Sequence, residues 1–286
     1  MKLPGLQGLT LYELLEIYLA GIIKGAFNYK AGSIAFSFFM ALFPFALFLL
    51  NLIPYIPIEN FQESFLSFVE ENVPPNTYGA MESILLDIMN NSYKSLLSTG
   101  VVMSIIFMAN GVNAIIGGFE SSIHLTVSRN FFRQYFIAMI LSVLLSVMLV
   151  ISVAVYLTVE VFIHFTENAL LADIGRNLFV VSMILITVST LYKFGTKETK
   201  HLAFKSYGSV FTTVLMTLTS VGFGIYVSKF AKYNELYGSI GTLLVIMIYI
   251  WINCMILLLG FELNAAIYVA KRKNLYLSNK QNNEKI

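Results

Sequence analysis

Charge is scarce in this chain. Only 12% of its 286 residues are Asp, Glu, Lys or Arg, while 57% are hydrophobic, and the mean hydropathy is +0.76. An ordinary soluble domain carries about 25% charge, so this scarcity excludes a globule that keeps its apolar surface out of water by folding alone. The formal net charge of +2 is too small to suggest a nucleic-acid binder; only its distribution is informative. There is one cysteine, Cys254. It excludes an intrachain disulfide and any CxxC or Cys/His metal motif. The three histidines, His124, His164 and His201, fall in three separate segments. Metal-dependent phosphodiester hydrolysis needs clustered ligands facing water, and no such cluster is expected here. HExxH and GxSxG motifs are absent too. No metal, no cofactor and no enzyme activity is expected. Proline is confined as well: all six lie at or before Pro75, which frees the rest of the chain from the strongest helix breaker. No small-residue cleavage site follows the first apolar run, so no cleavable leader is expected.

Long apolar runs are what the chain has instead. A membrane-spanning helix needs about 20 mostly apolar residues. Six stretches meet or approach that: Ile34–Ile53, Leu96–Phe119, Phe136–Ile163, Leu178–Phe194, Tyr207–Val227 and Ile240–Tyr268. The expected fold is an all-α integral membrane protein, a single domain of six spans. The tail from Arg272 to Ile286 is polar. With the N-terminus inside, only Lys94, Arg176, Lys229 and Lys232 of the 18 Lys and Arg fall in outer segments. That asymmetry predicts cytoplasmic N- and C-termini.

Two regions outside the spans carry helical periodicity. Leu11, Leu14, Leu15, Tyr18, Leu19, Ile22 and Ile23 share one face, opposite Glu13, Glu16 and Lys24. This predicts an amphipathic helix, lying on the inner membrane surface or packed on the inner end of the bundle. Between the first two spans, Phe61, Phe65 and Phe68 make one stripe, and Met81, Ile84, Leu85, Ile88 and Met89 another. Two short helices are expected to cap the outer side. Glu59, Glu63, Glu70, Glu71, Glu82 and Asp87 make that cap acidic, as a solvated face or as a surface for envelope protein partners.

Polar groups inside the spans are expensive in lipid. Asn110, Asn113, Gly117, Glu120 and His124 fall within about one quarter of a helix circumference. They read as interhelical glue or as the lining of a polar cavity. In the last span, Tyr249, Asn253, Gly260 and Asn264 share a face, and Glu262 lies opposite Asn253. A helix polar on two faces has protein neighbours on both sides. Glu262 is expected to pair with a cation from an inner segment: Lys30, Arg129 or Arg133. Ser209, Thr213, Thr217, Ser220 and Gly224 form a small-residue stripe suited to close packing. Glu160 and His164 read as a hydrogen-bonded pair near the outer surface. Pro44 is expected to kink the first span.

Two stretches carry a family likeness. "YKAGSIAFSFFMALFPFALFLL", Tyr29–Leu50, resembles the first span of the YihY/virulence factor BrkB family, once labelled ribonuclease BN-like. Tyr226, Phe230, Tyr233, Asn234, Tyr237, Gly238, Ser239 and Gly241, followed by Gly260, Glu262, Leu263, Asn264 and Ala265, are similar to its C-terminal signature, with Ile240 in place of the usual leucine. "GFESSIH", Gly118–His124, is a looser match to the second span. The resemblance implies a six-span bacterial inner-membrane protein with both ends in the cytoplasm, in a family for which movement of envelope lipids or solutes has been suggested; the rival reading of the residues is a scaffold that docks envelope partners through the acidic outer cap. As pathway residues, the residue reading nominates Asn110, Asn113, Glu120, Asn253, Glu262 and Asn264.

Overall fold

A computed structural model describes residues 11–52, 61–72, 82, 85–86, 94–122, 124, 129–163, 169–197 and 204–283. Helix dominates these residues, and no strand occurs among them. The helices are α1 (Leu11–Lys24), α2 (Phe27–Leu52), α3 (Phe61–Asn72), α4 (Lys94–Glu120), α5 (Phe131–Ile163), α6 (Ala169–Gly195) and α7 (Tyr207–Asn283). Among the described residues, four stretches are long and apolar enough to cross a membrane: Phe131–Tyr156, Ile174–Gly195, Tyr207–Tyr226 and Leu244–Arg272. Ile105–Glu120 is a shorter apolar stretch. The first two expected spans fall on α2 and α4, of 26 and 27 residues.

The helical assignment of α7 runs unbroken for 77 residues. It is not one straight rod. The amide of Gly208 donates to Asn264 Oδ1 at 2.8 Å, and the hydroxyls of Ser220 and Tyr249 are 2.7 Å apart. A straight helix would hold Gly208 and Asn264 about 84 Å apart. The chain therefore reverses between Ser220 and Tyr249. Two antiparallel arms result, as expected for separate fifth and sixth spans.

Helix α4 packs against α2, α5, α6 and α7, and α2 and α6 both pack on α7. The core fills the centre with Ile34, Ala35, Val112, Ile116, Leu141, Val188, Leu257 and Leu258. Outward, Phe36, Val147, Leu178, Leu218 and Leu244 are exposed, an apolar surface that matches a hydrocarbon solvent. Pro44 lies inside α2, whose helical assignment continues to Leu52.

Cross-contacts bring Lys30 and Arg129 to one end of the bundle. Lys30 Nζ donates to Ser121 O at 2.8 Å, and Arg129 Nη1 donates to Gly195 O at 2.8 Å. Tyr18 OH reaches Leu259 O at 3.3 Å. The start of α2, the ends of α4 and α6, the start of α5 and helix α1 thus share this basic end. At the opposite end, Phe61, Phe65 and Leu66 of α3 pack on Val153, Ala154 and Tyr156 of α5. This is the first of the two expected capping helices, with Glu63 and Glu70 exposed. Most of the second lies outside the described residues, as do Glu59 and Asp87. So does His164. Glu160 sits in a part of α5 where the backbone alone is described.

Helix α1 corrects the single apolar stripe expected of it. Leu14, Ile17 and Tyr18 pack on Ala266, Ile267 and Ala270 of α7. Tyr12, Leu15, Leu19 and Ile23 remain exposed on another side. One helix thus has a bundle-facing stripe and a separate outward stripe.

The arms of α7 meet nearly backbone to backbone. A Cβ on Gly260 would run into Thr212 Oγ1, and would lie 2.6 Å from the Tyr192 hydroxyl and 2.9 Å from the Gly208 carbonyl. Helices without hydrophobic drive between them gain from such close approach. Gly260→Val is expected to cost about 1–3 kcal/mol through overpacking. A lowered midpoint in thermal melts of the detergent-solubilised protein checks this; an unchanged midpoint refutes it.

Candidate functional site

Three layers run along the bundle axis. At the basic end sits a plate of buried polar side chains. Above it lies a floor of aromatic rings, and beyond the floor a cavity.

The polar plate begins with a helix cap. Ser206 precedes α7, and its Oγ accepts from the Ser209 amide at 3.2 Å. In return Ser209 Oγ accepts from the Ser206 amide at 3.0 Å. This reciprocal arrangement is a capping box. It leaves the Gly208 amide unanswered, and Asn264 supplies the acceptor. The same amide donates through Nδ2 to Ser206 Oγ at 2.8 Å. Asn264 therefore ties the arms of α7 together.

Glu120 and Arg129 form a second buried group. The Arg129 amide donates to Glu120 Oε2 at 3.2 Å, with Arg129 Nε 3.9 Å from Oε1. The guanidinium reaches onward to the carbonyls of Phe194 and Gly195 at the end of α6. A cation there completes the helix terminus and suits its dipole. Burial lowers the Arg129 pKa, and Glu120 opposes that fall.

Glu262 is 2% exposed. The side chain in contact with it is not the expected Lys30, Arg129 or Arg133 but His124, whose Nε2 lies 3.4 Å from Oε1. Arg129 is engaged by Glu120, Arg133 is exposed, and Lys30 donates to Ser121 O. Lys30 still feels the Glu262 charge: burial lowers its pKa and Glu262 raises it. The His124 pairing escaped periodicity because α4 ends at Glu120. His124 lies past the helix in a turn, so its angular position on the stripe has no meaning. Helix α1 covers the acid. A Cβ on Gly21 would collide with the Glu262 carboxylate. Burial and the charge of Glu262 push the Tyr18 phenol up to about 12.

The remaining candidates separate. Asn113 accepts from Gln134 Nε2 of α5 at 3.0 Å, which makes it interhelical glue. Asn110 is exposed. Asn253 donates to Tyr249 O in its own helix at 2.8 Å and lines the cavity.

The floor joins α4, α6 and α7. Phe119 stacks on Phe261 with ring centroids 4.2 Å apart, and Tyr192 meets both edge-on at 5.5 and 5.7 Å. The Tyr192 hydroxyl bonds Leu257 O at 2.7 Å and Thr212 Oγ1 at 2.6 Å. Nothing in the one-dimensional pattern singled these rings out from other core aromatics.

The cavity has a volume of about 810 Å³. Phe38, Val112, Leu145, Met183, Val188 and Ile250 are among its walls. Its polar groups are mostly hydroxyls. Those of Ser142, Ser146 and Ser152 bond carbonyls of their own helix. No Asp, Glu, Lys, Arg or His lines it among the described residues. The expected polar cavity is thus apolar. Of the six nominated residues, only Asn253 borders it.

A family model described as virulence factor BrkB matches residues 23–285. The chain belongs to that family. Among BrkB-family relatives, a ribonuclease-like protein named YfkH from Bacillus subtilis is 30% identical over 258 residues, covering 86% of this chain and 91% of the relative. A UPF0761 membrane protein from Xanthomonas oryzae is 21% identical over 240 residues, 83% of this chain. The chain spans 56% of that relative's length. No solved structure matches. The Xanthomonas relative is named a membrane protein, and this chain carries long apolar helices of its own, so it is a membrane protein of the BrkB family.

Removing one partner from the polar plate exposes its energetics. Asn264→Leu strands the Gly208 amide and is expected to cost about 1–3 kcal/mol. Arg129→Met strands the Glu120 carboxylate and is expected to cost more, about 3–5 kcal/mol. Glu120→Gln added to Arg129→Met should restore part of that loss. Thermal or denaturant unfolding in detergent checks all three; equal losses in the single and double Arg129 variants would contradict the pairing.

Proposed function

We propose that this protein is a translocator for the hydrocarbon-bearing part of an envelope lipid or a similarly apolar small solute. It crosses the bacterial inner membrane six times, with both termini in the cytoplasm. The basic end of the bundle is the cytoplasmic end, as the positive-inside rule requires. Helices α2 and α4 supply the first two crossings. At about 39–40 Å each they exceed the ~30 Å hydrocarbon core.

The single observation that carries this reading is the 810 Å³ cavity among the spans. It falls within the range of ligand sites, about 300–1,000 Å³. Its walls offer carbon surface and self-satisfied hydroxyls, which favours an acyl chain over an ion. A scaffold that only docks partners through the acidic cap around Glu63 and Glu70 has no need of such a cavity. A nuclease is disfavoured on residue grounds. Among the described residues, no three of His, Cys, Asp and Glu converge to hold a metal.

Filling the cavity tests the proposal. Ser146→Phe and Thr187→Phe place rings in its wall, while Val147→Phe points outward from the same helix, where Val147 is 51% exposed. In proteoliposomes loaded with a fluorescent-tailed phospholipid, leaflet exchange should fall to the protein-free rate for the first two and persist for the third. Equal exchange by all three, or none by the wild type with a series of lipids and apolar solutes, overturns the reading.

A further inference from the structure

Glu262 and Glu120 each keep one buried carboxylate oxygen without a hydrogen bond, but Glu120 faces a guanidinium and Glu262 an imidazole. The Glu262 carboxylate is buried, and Oε1 accepts no hydrogen bond. The 3.4 Å contact with His124 Nε2 is a charge contact without hydrogen-bond alignment. Nε2 also lies 3.2 Å from Ile17 O of α1. It therefore faces two oxygens. With the acid ionised and the imidazole neutral, Nε2 carries the ring proton and the pair has a charge of −1. A buried charge without full pairing is expensive. One more proton removes it. Either the proton sits on Nδ1 and makes an imidazolium opposite the carboxylate, or it sits on Glu262. In the second case the acid donates to Nε2 and the ring proton moves to Nδ1.

The cover over this pair has a hinge. Helix α1 supplies Gly21 against the carboxylate, Ile17 O against the imidazole and Tyr18 beside the acid. Two residues, Gly25 and Ala26, separate α1 from α2. Ala26 has φ of 48°, a left-handed conformation uncommon for a residue with a side chain. On its far side α1 exposes Tyr12, Leu15, Leu19 and Ile23, a stripe suited to the membrane surface. It can leave the bundle without entering water entirely.

We propose that Glu262 and His124 form a proton-binding site, filled while α1 is seated and emptied when α1 swings off the bundle. Its place in a transport cycle rests on the translocator reading; proton uptake coupled to α1 does not. The groups facing the pair are Tyr18 from α1, Lys30 from α2 and His124 from the turn after α4. Lys30 offsets part of the negative charge. Tyr18 stays neutral up to about pH 12.

Hydrogen exchange of the full-length protein in lipid nanodiscs tests this between about pH 5 and pH 8, corrected for intrinsic rates, the range in which a histidine side chain serves as a proton switch. Amides of α1 should lose about ten-fold or more protection as pH rises, because the emptied site is left with a buried negative charge. Glu262→Gln should hold α1 protected at every pH. His124→Gln should move the transition by about one pH unit or more, and carries the test if the first variant does not fold. Wild-type α1 protection that ignores pH overturns the proposal, as does a Glu262→Gln or His124→Gln profile identical to wild type. The Ser146→Phe variant keeps the readings apart: blocked exchange of lipid with an intact α1 transition supports both, and a protein that moves nothing yet shows the transition sinks only the translocator.

Discussion

Hydrocarbon offers no hydrogen bonds, so each buried amide, hydroxyl and carboxylate of this chain has to find its partner within the bundle. The structure meets that constraint mostly at one end. The start of α7 has free amides like any helix, and Ser206, Ser209 and Asn264 answer them. The end of α6 has free carbonyls, and Arg129 answers those. The residues that solve these local problems also fix the tertiary arrangement, because Asn264 and Arg129 come from other elements. Capping and helix association are here the same set of bonds.

That economy explains the glycines that matter. Asn264 reaches Gly208 only if the arms of α7 approach closely, and Gly208 and Gly260 permit it. Gly195 makes room for Phe119, since a Cβ there would lie 3.0 Å from the ring. Gly21 makes room for Glu262. Each of these glycines removes volume where a ring, an amide or an acid from another helix must fit.

Much of the fold was legible in composition and periodicity, because lipid makes apolar length a direct signal. The last four expected spans match the long apolar helices closely, and Phe61 and Phe65 marked a real capping helix. The site was less legible. Angular position placed Asn113 against another helix, where it does bond Gln134. It failed for His124, which lies beyond the helix end, and for Asn110, which faces outward. It gave Glu262 protein neighbours but not the right one, since long-range pairing depends on which helix end lies beside which. The cavity was invisible. A cavity is formed by what several helices leave unfilled, and no single helix carries that information in its pattern.

The separation of chemistry along the axis bears on how such a bundle works. Charge and amides lie at the basic end, and the empty apolar volume lies beyond Phe119, Tyr192 and Phe261. An apolar tail gains nothing by entering the polar plate, and a polar group gains nothing by entering the cavity. The aromatic floor keeps these environments distinct. It is held by side-chain packing and by the Tyr192 hydroxyl, whose partners Thr212 and Leu257 belong to the two arms of α7. Any shift of one arm against the other must break one of those bonds and tilt the ring. Helix α1 rests on the second arm through Tyr18 and Leu14. Seating or release of α1 therefore acts on the same element that holds the floor. Glu262 of the polar plate and Phe261 of the floor are adjacent in α7, so both layers are held on one stretch of that helix.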